Sequence, residues 1–157
     1  MKKQIVVLFS AAAILASCGS GGEKKVSTGT ESGAMEITIT AKGNTMDDMS
    51  YDQKEIKVKA GSKVKVNLVN AATDAAMQHN IVFVKQGTNQ DVAMEGLNFA
   101  TANYFNAANP NVIAGSPVAT PGKTVTVEFT APAAGTYAYV CTFPGHFMKM
   151  NGVLIVE

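Results

Sequence analysis

Residues 135–150 read Gly135-Thr-Tyr-Ala-Tyr-Val-Cys-Thr-Phe-Pro-Gly-His-Phe-Met-Lys-Met150. The first part has the aromatic and β-branched residues of a β-strand. The loop after it brings together the thiol of Cys141, the imidazole of His146 and the thioether of Met150. The only other histidine, His79, begins a second apolar run. Two imidazoles and a thiolate with a distant methionine are the ligands of a blue-copper electron-transfer site, so the sequence predicts one type 1 copper ion here.

The strand pattern extends over the rest of the domain. Seven runs are alternating or continuously apolar, namely 36–40, 54–59, 63–69, 79–84, 123–129, 135–141 and 152–156. Gly, Pro and Asn turns separate them, as is typical of short strands in an all-β domain. We therefore predict a Greek-key β-sandwich of seven or eight strands.

One region breaks this rhythm. Residues 91–108 are rich in alanine and have apolar residues at near-helical spacing, and Asn109-Pro110 follows them. We predict a short helical flap there, packed on the sandwich through Met94, Leu97 and Phe105.

The N-terminal residues predict export and attachment to a membrane. Two lysines and an apolar stretch too short for a good membrane span lead to Leu15-Ala-Ser-Cys18, which resembles a bacterial lipoprotein signal. The prediction is a signal peptide over 1–17, a lipid on Cys18, a flexible tether over 18–34 and one domain over 35–157. An ordinary secretory signal with an incidental cysteine is the alternative. Localisation is then the bacterial cell envelope, lipid-anchored and periplasmic or outer-membrane-facing.

Charge argues against nucleic-acid binding. The domain has nine lysines and ten acidic residues, and the chain has no arginine. Nucleic-acid-binding proteins usually show a basic surface with guanidinium groups for phosphates and bases.

We expect a monomer whose partners are redox proteins, a donor and an acceptor, in transient contact.

The run Tyr139-Val-Cys-Thr-Phe-Pro-Gly-His146, with Met150 and Gly152 after it, resembles the copper loop of the cupredoxin family, in particular of azurins and auracyanins. The resemblance implies His79, Cys141 and His146 as in-plane ligands and Met150 as the weak axial ligand. Met148 competes for the axial role, but the azurin-like spacing places the methionine four residues after the histidine.

The resemblance also implies roles for residues beside the metal. Asn80 would tie the ligand loops together, and the backbone N–H of Phe143 would donate to the cysteine sulfur. Gln78 stands where azurins have a glycine whose carbonyl approaches the metal, which leaves a fifth ligand open. The ring edge of His146 would reach the surface as the port for electrons.

Two functions fit this site. The first is a membrane-tethered carrier of single electrons, whose partners would dock on an apolar patch of Phe143, Pro144, Phe147 and Met148. The second is a copper-trafficking or storage lipoprotein that holds and delivers Cu(I). A copper enzyme would need a second, open copper site with further histidines, and both histidines are already assigned. We therefore expect no enzymatic activity.

Overall fold

The computed structural model describes residues 34–157, where nine strands, one α-helix and one 3₁₀ helix occur. The strands are β1 Met35–Lys42, β2 Ser50–Tyr51, β3 Glu55–Val58, β4 Lys63–Asn70, β5 Val82–Lys85, β6 Val112–Gly115, β7 Thr124–Thr130, β8 Gly135–Val140 and β9 Asn151–Val156. The helices are α1 Asn89–Gly96 and the 3₁₀ helix Leu97–Ala102. The predicted signal peptide, lipidated Cys18 and most of the tether lie outside the described residues.

The strands form two sheets. One has the order β2-β1-β4-β7 and the other β3-β9-β8-β5-β6. β1 runs parallel to β4 and β3 parallel to β9, while β4–β7, β5–β8 and β8–β9 are antiparallel. The prediction of an all-β sandwich with a short helix is confirmed, and β2 and β6 are strands that the sequence pattern did not reveal.

The core lies between the two sheets because each strand turns one face inward. In β4 the residues Val64, Val66 and Leu68 are buried, and the residues between them are more exposed. Phe83 of β5 lies against Tyr139 of β8, with ring centroids 5.8 Å apart. Burying each large apolar side chain contributes about 1.5–3 kcal/mol.

The flap packs differently from the prediction. Met94 and Leu97 are 51% and 45% exposed, so their predicted packing role is wrong. The helix instead buries Val92 and Ala93, and Val92 belongs to a small apolar cluster with Val82 and Val140. Phe105 is partly buried against this cluster, as expected.

The described part of the chain contains no helix with the length and hydrophobicity of a membrane span.

Three loops meet at one end of the sandwich, which we call the loop end: residues 43–49, 71–79 and 142–149. The Nζ of Lys149 donates to the carbonyl of Asp47 (2.7 Å), and the N–H of Thr73 donates to the side chain of Asn44 (2.7 Å). β1 begins at Met35 and ends at Lys42, next to the loop end. Met35 therefore lies at the opposite end of the sandwich.

Candidate metal centre

Three of the predicted ligands converge at the loop end. The Nδ1 atoms of His79 and His146 lie 3.1 Å apart, and the Sγ of Cys141 lies 4.0 Å and 3.7 Å from them. All three residues are buried, and their donor atoms lie within 4.8 Å of one another. One metal ion between them could bind all three.

The hairpin between β8 and β9 positions Cys141, His146 and Met150. Cys141 follows the last residue of β8, and its N–H donates to the carbonyl of Met150 (2.9 Å), which precedes β9. The N–H of Met150 in turn donates to the carbonyl of His146 (2.9 Å). Gly145 has a φ of 83°, a left-handed conformation that glycine adopts without steric cost, and this lets the loop turn back.

A glycine on β9 fits the hairpin to a bulky neighbour. Gly152 pairs with Tyr139, and a Cβ on Gly152 would lie 2.2 Å from the Cζ of that tyrosine. Any larger residue at 152 would displace the ring, which explains the glycine after the methionine in physical terms.

His79 lies on the segment that precedes β5 and is held by an isolated β-bridge to Ala119. Its N–H donates to the Ala119 carbonyl (3.1 Å), and the Ala119 N–H donates back (2.7 Å). The buried amide of Asn70 donates to the carbonyls of Met77 (2.8 Å) and Ala119 (2.9 Å). Asn70 therefore fixes both segments that hold His79.

Asn80 joins the two ligand segments. Its side-chain oxygen accepts from the N–H of Thr142 (2.9 Å), and its amide nitrogen donates to the Thr142 hydroxyl (2.8 Å) and to the carbonyl of Asn103 (2.7 Å). Since Asn80 follows His79 and Thr142 follows Cys141, these bonds fix the spacing of two ligands.

Sequence reasoning missed three buried polar residues that support the site. Asn70 and Thr142 have the contacts just described, and the Ser116 hydroxyl accepts from the N–H of Ile81 (3.0 Å) two residues after His79. Each is a single polar residue in or beside a strand, a position at which the sequence carries no distinctive signal.

Burial governs the protonation of the metal-free site. It raises the pKa of the Cys141 thiol to about 11, although the N–H groups of Asn80 and Phe143 and the Tyr51 hydroxyl act in the opposite direction. Burial, and then the neighbouring His146, lowers the pKa of His79 to about 4, and burial lowers the pKa of His146. The site therefore holds two neutral imidazoles, which are ready to bind a metal, and a thiol whose proton a cation would displace.

The donor set fits copper. Thiolate and thioether are soft ligands that favour Cu(I), and imidazole also suits Cu(II). Met150 is fully buried at the site, whereas Met148 is 77% exposed. Gln78 is half-buried directly before His79.

The four residues of the predicted docking patch differ in exposure. Pro144 and Met148 are exposed, Phe143 packs on the main core, and Phe147 packs on the cluster that contains Val92. His146 is 1% exposed, so no more than an edge of its ring reaches the surface. The Phe143 ring lies beside it, with ring centroids 5.1 Å apart.

A β-sandwich with a buried site of two histidines, a cysteine and a methionine at its loop end defines a type 1 copper protein with the cupredoxin fold. Comparison with known proteins specifies the family. Residues 35–157 match the model of copper binding proteins of the plastocyanin/azurin family. The chain belongs to this family, and its cofactor is one type 1 copper ion.

Named relatives agree with this assignment. The chain is 43% identical over 156 residues to auracyanin-A of Chloroflexus aurantiacus, covering 98% of this chain and 94% of that protein. The solved structure of that "blue" copper protein matches with a TM-score of 0.70 and 42% identity, over 80% of this chain and 100% of the other. Outer membrane protein H.8 of Neisseria gonorrhoeae is 32% identical over 68% of this chain and 61% of its own length.

Proposed function

We propose that this protein binds one copper ion through His79, Cys141, His146 and Met150 and carries single electrons between redox proteins. The observation that supports this most strongly is the convergence of two Nδ1 atoms and one Sγ in a buried site. Copper would supply the one-electron couple between Cu(II) and Cu(I). The auracyanin relatives, one of them described as a "blue" copper protein, support the same function.

The chain's own residues would keep structural change small during transfer. The bonds of Asn70 and Asn80 hold the histidine and cysteine segments in place whether or not the metal changes charge. A site fixed by rigid elements keeps its geometry, so little reorganisation accompanies gain or loss of an electron. The buried ligands would also keep bulk water away from a bound metal.

Met150 rather than Met148 would be the fourth ligand, because Met150 is buried and its carbonyl accepts from the N–H of Cys141, whereas Met148 faces solvent. Both histidines of the chain are used in this one site, which leaves none for a second, open copper. A carrier is therefore favoured over an enzyme.

A carrier and a copper-trafficking protein differ in how they treat an acceptor of Cu(I). We expect the reduced protein to retain its copper when it is mixed with a colorimetric Cu(I) chelator at equal concentration, and to return to its oxidised spectrum with ferricyanide. Rapid transfer of the metal to the chelator would contradict the carrier and favour trafficking.

Membrane attachment through Cys18 is the second part of the proposal. β1 separates the start of the domain from the loop end by eight residues, or about 25 Å. The tether would join the domain at the first residue of β1. The similarity to an outer membrane protein is consistent with a location in the cell envelope. Cys18→Ser should move the protein from the membrane fraction to the soluble fraction, and an unchanged distribution would contradict lipidation there.

Partners would dock beside the copper loop, on the exposed Pro144 and Met148 and the half-buried Phe143. Because Phe147 is partly buried against the cluster that contains Val92, Phe147→Glu would disturb folding as well as docking. Met148→Glu tests docking more cleanly, since its side chain is 77% exposed. We expect slower transfer to a protein partner with an unchanged copper spectrum, and an unchanged rate would exclude Met148 from the contact.

A further inference from the structure

A buried tyrosine of the sheet that contains β1 reaches across the core to the segment that carries His79. Tyr51 is the last residue of β2 and is 2% exposed. Its hydroxyl donates to the backbone carbonyl of Asn80 (2.5 Å). The carbonyls of His79 and Ile81, on either side, accept from backbone N–H groups instead. A side chain of the opposite sheet therefore holds the carbonyl next to a proposed ligand.

The ring of Tyr51 also contacts the strand that leads to Cys141. The ring centroids of Tyr51 and Tyr139 lie 5.7 Å apart, with their planes at 54°. Tyr139 belongs to β8, is fully buried and lies two residues before Cys141. Tyr51 thus contacts both segments whose separation sets the distance between His79 and Cys141.

The backbone around Tyr51 is fixed to β1. Tyr51 pairs with Ala41 of that strand. The N–H of Asp52 donates to the carbonyl of Thr40 (2.9 Å), and the carboxylate of Asp52 accepts from the N–H of Thr40 (2.7 Å). Since its backbone is held by β1 and its hydroxyl by Asn80, Tyr51 is a rigid connection between β1 and the ligand segments.

The hydroxyl of Tyr51 has a role that filling the core does not explain. A phenylalanine would bury the same ring, whereas a buried tyrosine hydroxyl needs a hydrogen-bond partner. The partner here is Asn80, whose side chain forms two hydrogen bonds with Thr142, the residue after Cys141. Fixing the carbonyl of Asn80 therefore also fixes the amide that spaces His79 from Cys141.

We propose that Tyr51 is a positioning residue of the metal site, whose hydroxyl holds the His79 and Cys141 segments in register and thereby raises the reduction potential of bound copper. This inference rests on the proposed electron-carrier function. Without the hydroxyl, the two segments are held less firmly. A looser site lets Cu(II) approach the tetragonal geometry that it prefers, which stabilises the oxidised state and lowers the potential.

The first test uses the metal-free full chain and measures amide hydrogen exchange by NMR. Tyr51→Phe should make the N–H of Thr142 exchange several-fold faster relative to the N–H of Val66, which lies in the central strand β4 and reports global stability. Tyr139→Phe is the matched control, because Tyr139 is also buried and its hydroxyl donates to a backbone carbonyl, that of Gln53 (2.8 Å). The control should keep the wild-type ratio of exchange rates. An unchanged ratio in Tyr51→Phe would overturn the positioning role.

The second test uses the copper-loaded full chain and measures the reduction potential by voltammetry and the copper affinity by competition with a chelator. Tyr51→Phe should have a lower potential than the wild type and should bind copper about 10-fold more weakly, the lower end of the usual effect of losing a residue that orients a ligand. Tyr139→Phe should retain the wild-type values. An unchanged or higher potential in Tyr51→Phe, or an equal shift in both variants, would overturn the inference.

A double-mutant cycle tests whether Tyr51 acts through Asn80. Thr142→Val removes the hydroxyl that accepts from the Asn80 amide (2.8 Å). Because both substitutions act on Asn80, their effects on the potential should not be additive. Additive effects would overturn the route through Asn80. A wild-type chain without a blue band would instead overturn the proposed function, and the exchange measurement on the metal-free chain would still test the positioning role.

Discussion

The middle of the sandwich and its loop end are both buried, but different interactions hold them. In the middle, apolar side chains such as Leu68 and Phe83 fill the space between the sheets. The buried polar side chains of the described region lie at the loop end or next to it. They are Asn70, His79, Asn80, Ser116, Thr142 and His146. Apolar burial has no directional preference, whereas hydrogen bonds fix particular atoms in place. The middle therefore provides stability, and the loop end provides the geometry of the metal site.

The largest expected effect is at the loop end itself. Cys141→Ser removes the soft, charged donor, so the copper-loaded variant should lose the intense blue band completely. Absorption spectroscopy measures this, and Met148→Leu is the control that should keep the band. A blue Cys141→Ser variant would show that the thiolate is not a ligand.

A substitution in the middle should affect stability and not the metal. Phe83→Ala leaves a cavity in the core and should lower the free energy of unfolding of the metal-free protein by about 3–5 kcal/mol. Urea denaturation measures the loss, and the position of the copper band should not move. A shifted band would mean that core packing and ligand geometry are coupled, which would break the contrast between the two regions.

Asn70→Ala should have a smaller effect, which should appear in both the stability of the protein and its affinity for copper. It leaves the carbonyls of Met77 and Ala119 without their donor, at a cost of about 1–3 kcal/mol in stability. Loosening of the His79 segment should weaken copper binding about 10–100-fold, the usual effect of losing a residue that orients a ligand. Asn67→Ala on the outer face of the same strand is the control and should change stability by less than about 0.5 kcal/mol. Equal copper affinities in the two variants would contradict the positioning role of Asn70.

The last expected effect is a pH dependence of the metal-free protein, which involves His79 alone. Burial and the neighbouring His146 lower the pKa of folded His79 from 6.5 to about 4. Between these values the unfolded chain binds a proton that the folded chain does not, so stability present above pH 6.5 should decrease as the pH falls toward 4. Urea midpoints across this range should fall more steeply in the wild type than in His79→Gln. Equal slopes would show that His79 does not contribute.

The sequence predicts most of the sandwich because alternating apolar and polar residues indicate which face of a strand is buried. β2 and β6, which the sequence does not reveal, lack this alternation. β2 has only two residues, and all four residues of β6 are half-buried with no alternation. The sequence also predicts where the flap lies, but Val92 and Ala93, not Met94 and Leu97, are the residues that the helix buries.

The ligands are predictable because cysteine and histidine are rare in this chain and their spacing is distinctive. The burial of His146 is not, since it depends on contacts with residues such as His79, which lies 67 residues earlier in the chain. Asn70 is equally hard to identify, because an asparagine at the end of a strand also favours a turn. Residues that act through contacts distant in sequence become visible only in the folded chain.

The central claim is that the loop end binds one redox-active copper ion. The most direct test is the visible absorption spectrum of residues 35–157 with one equivalent of Cu(II). The structure predicts an intense blue band that ascorbate bleaches and ferricyanide restores. A colourless protein, whether it binds only Cu(I) or no copper at all, would contradict the claim.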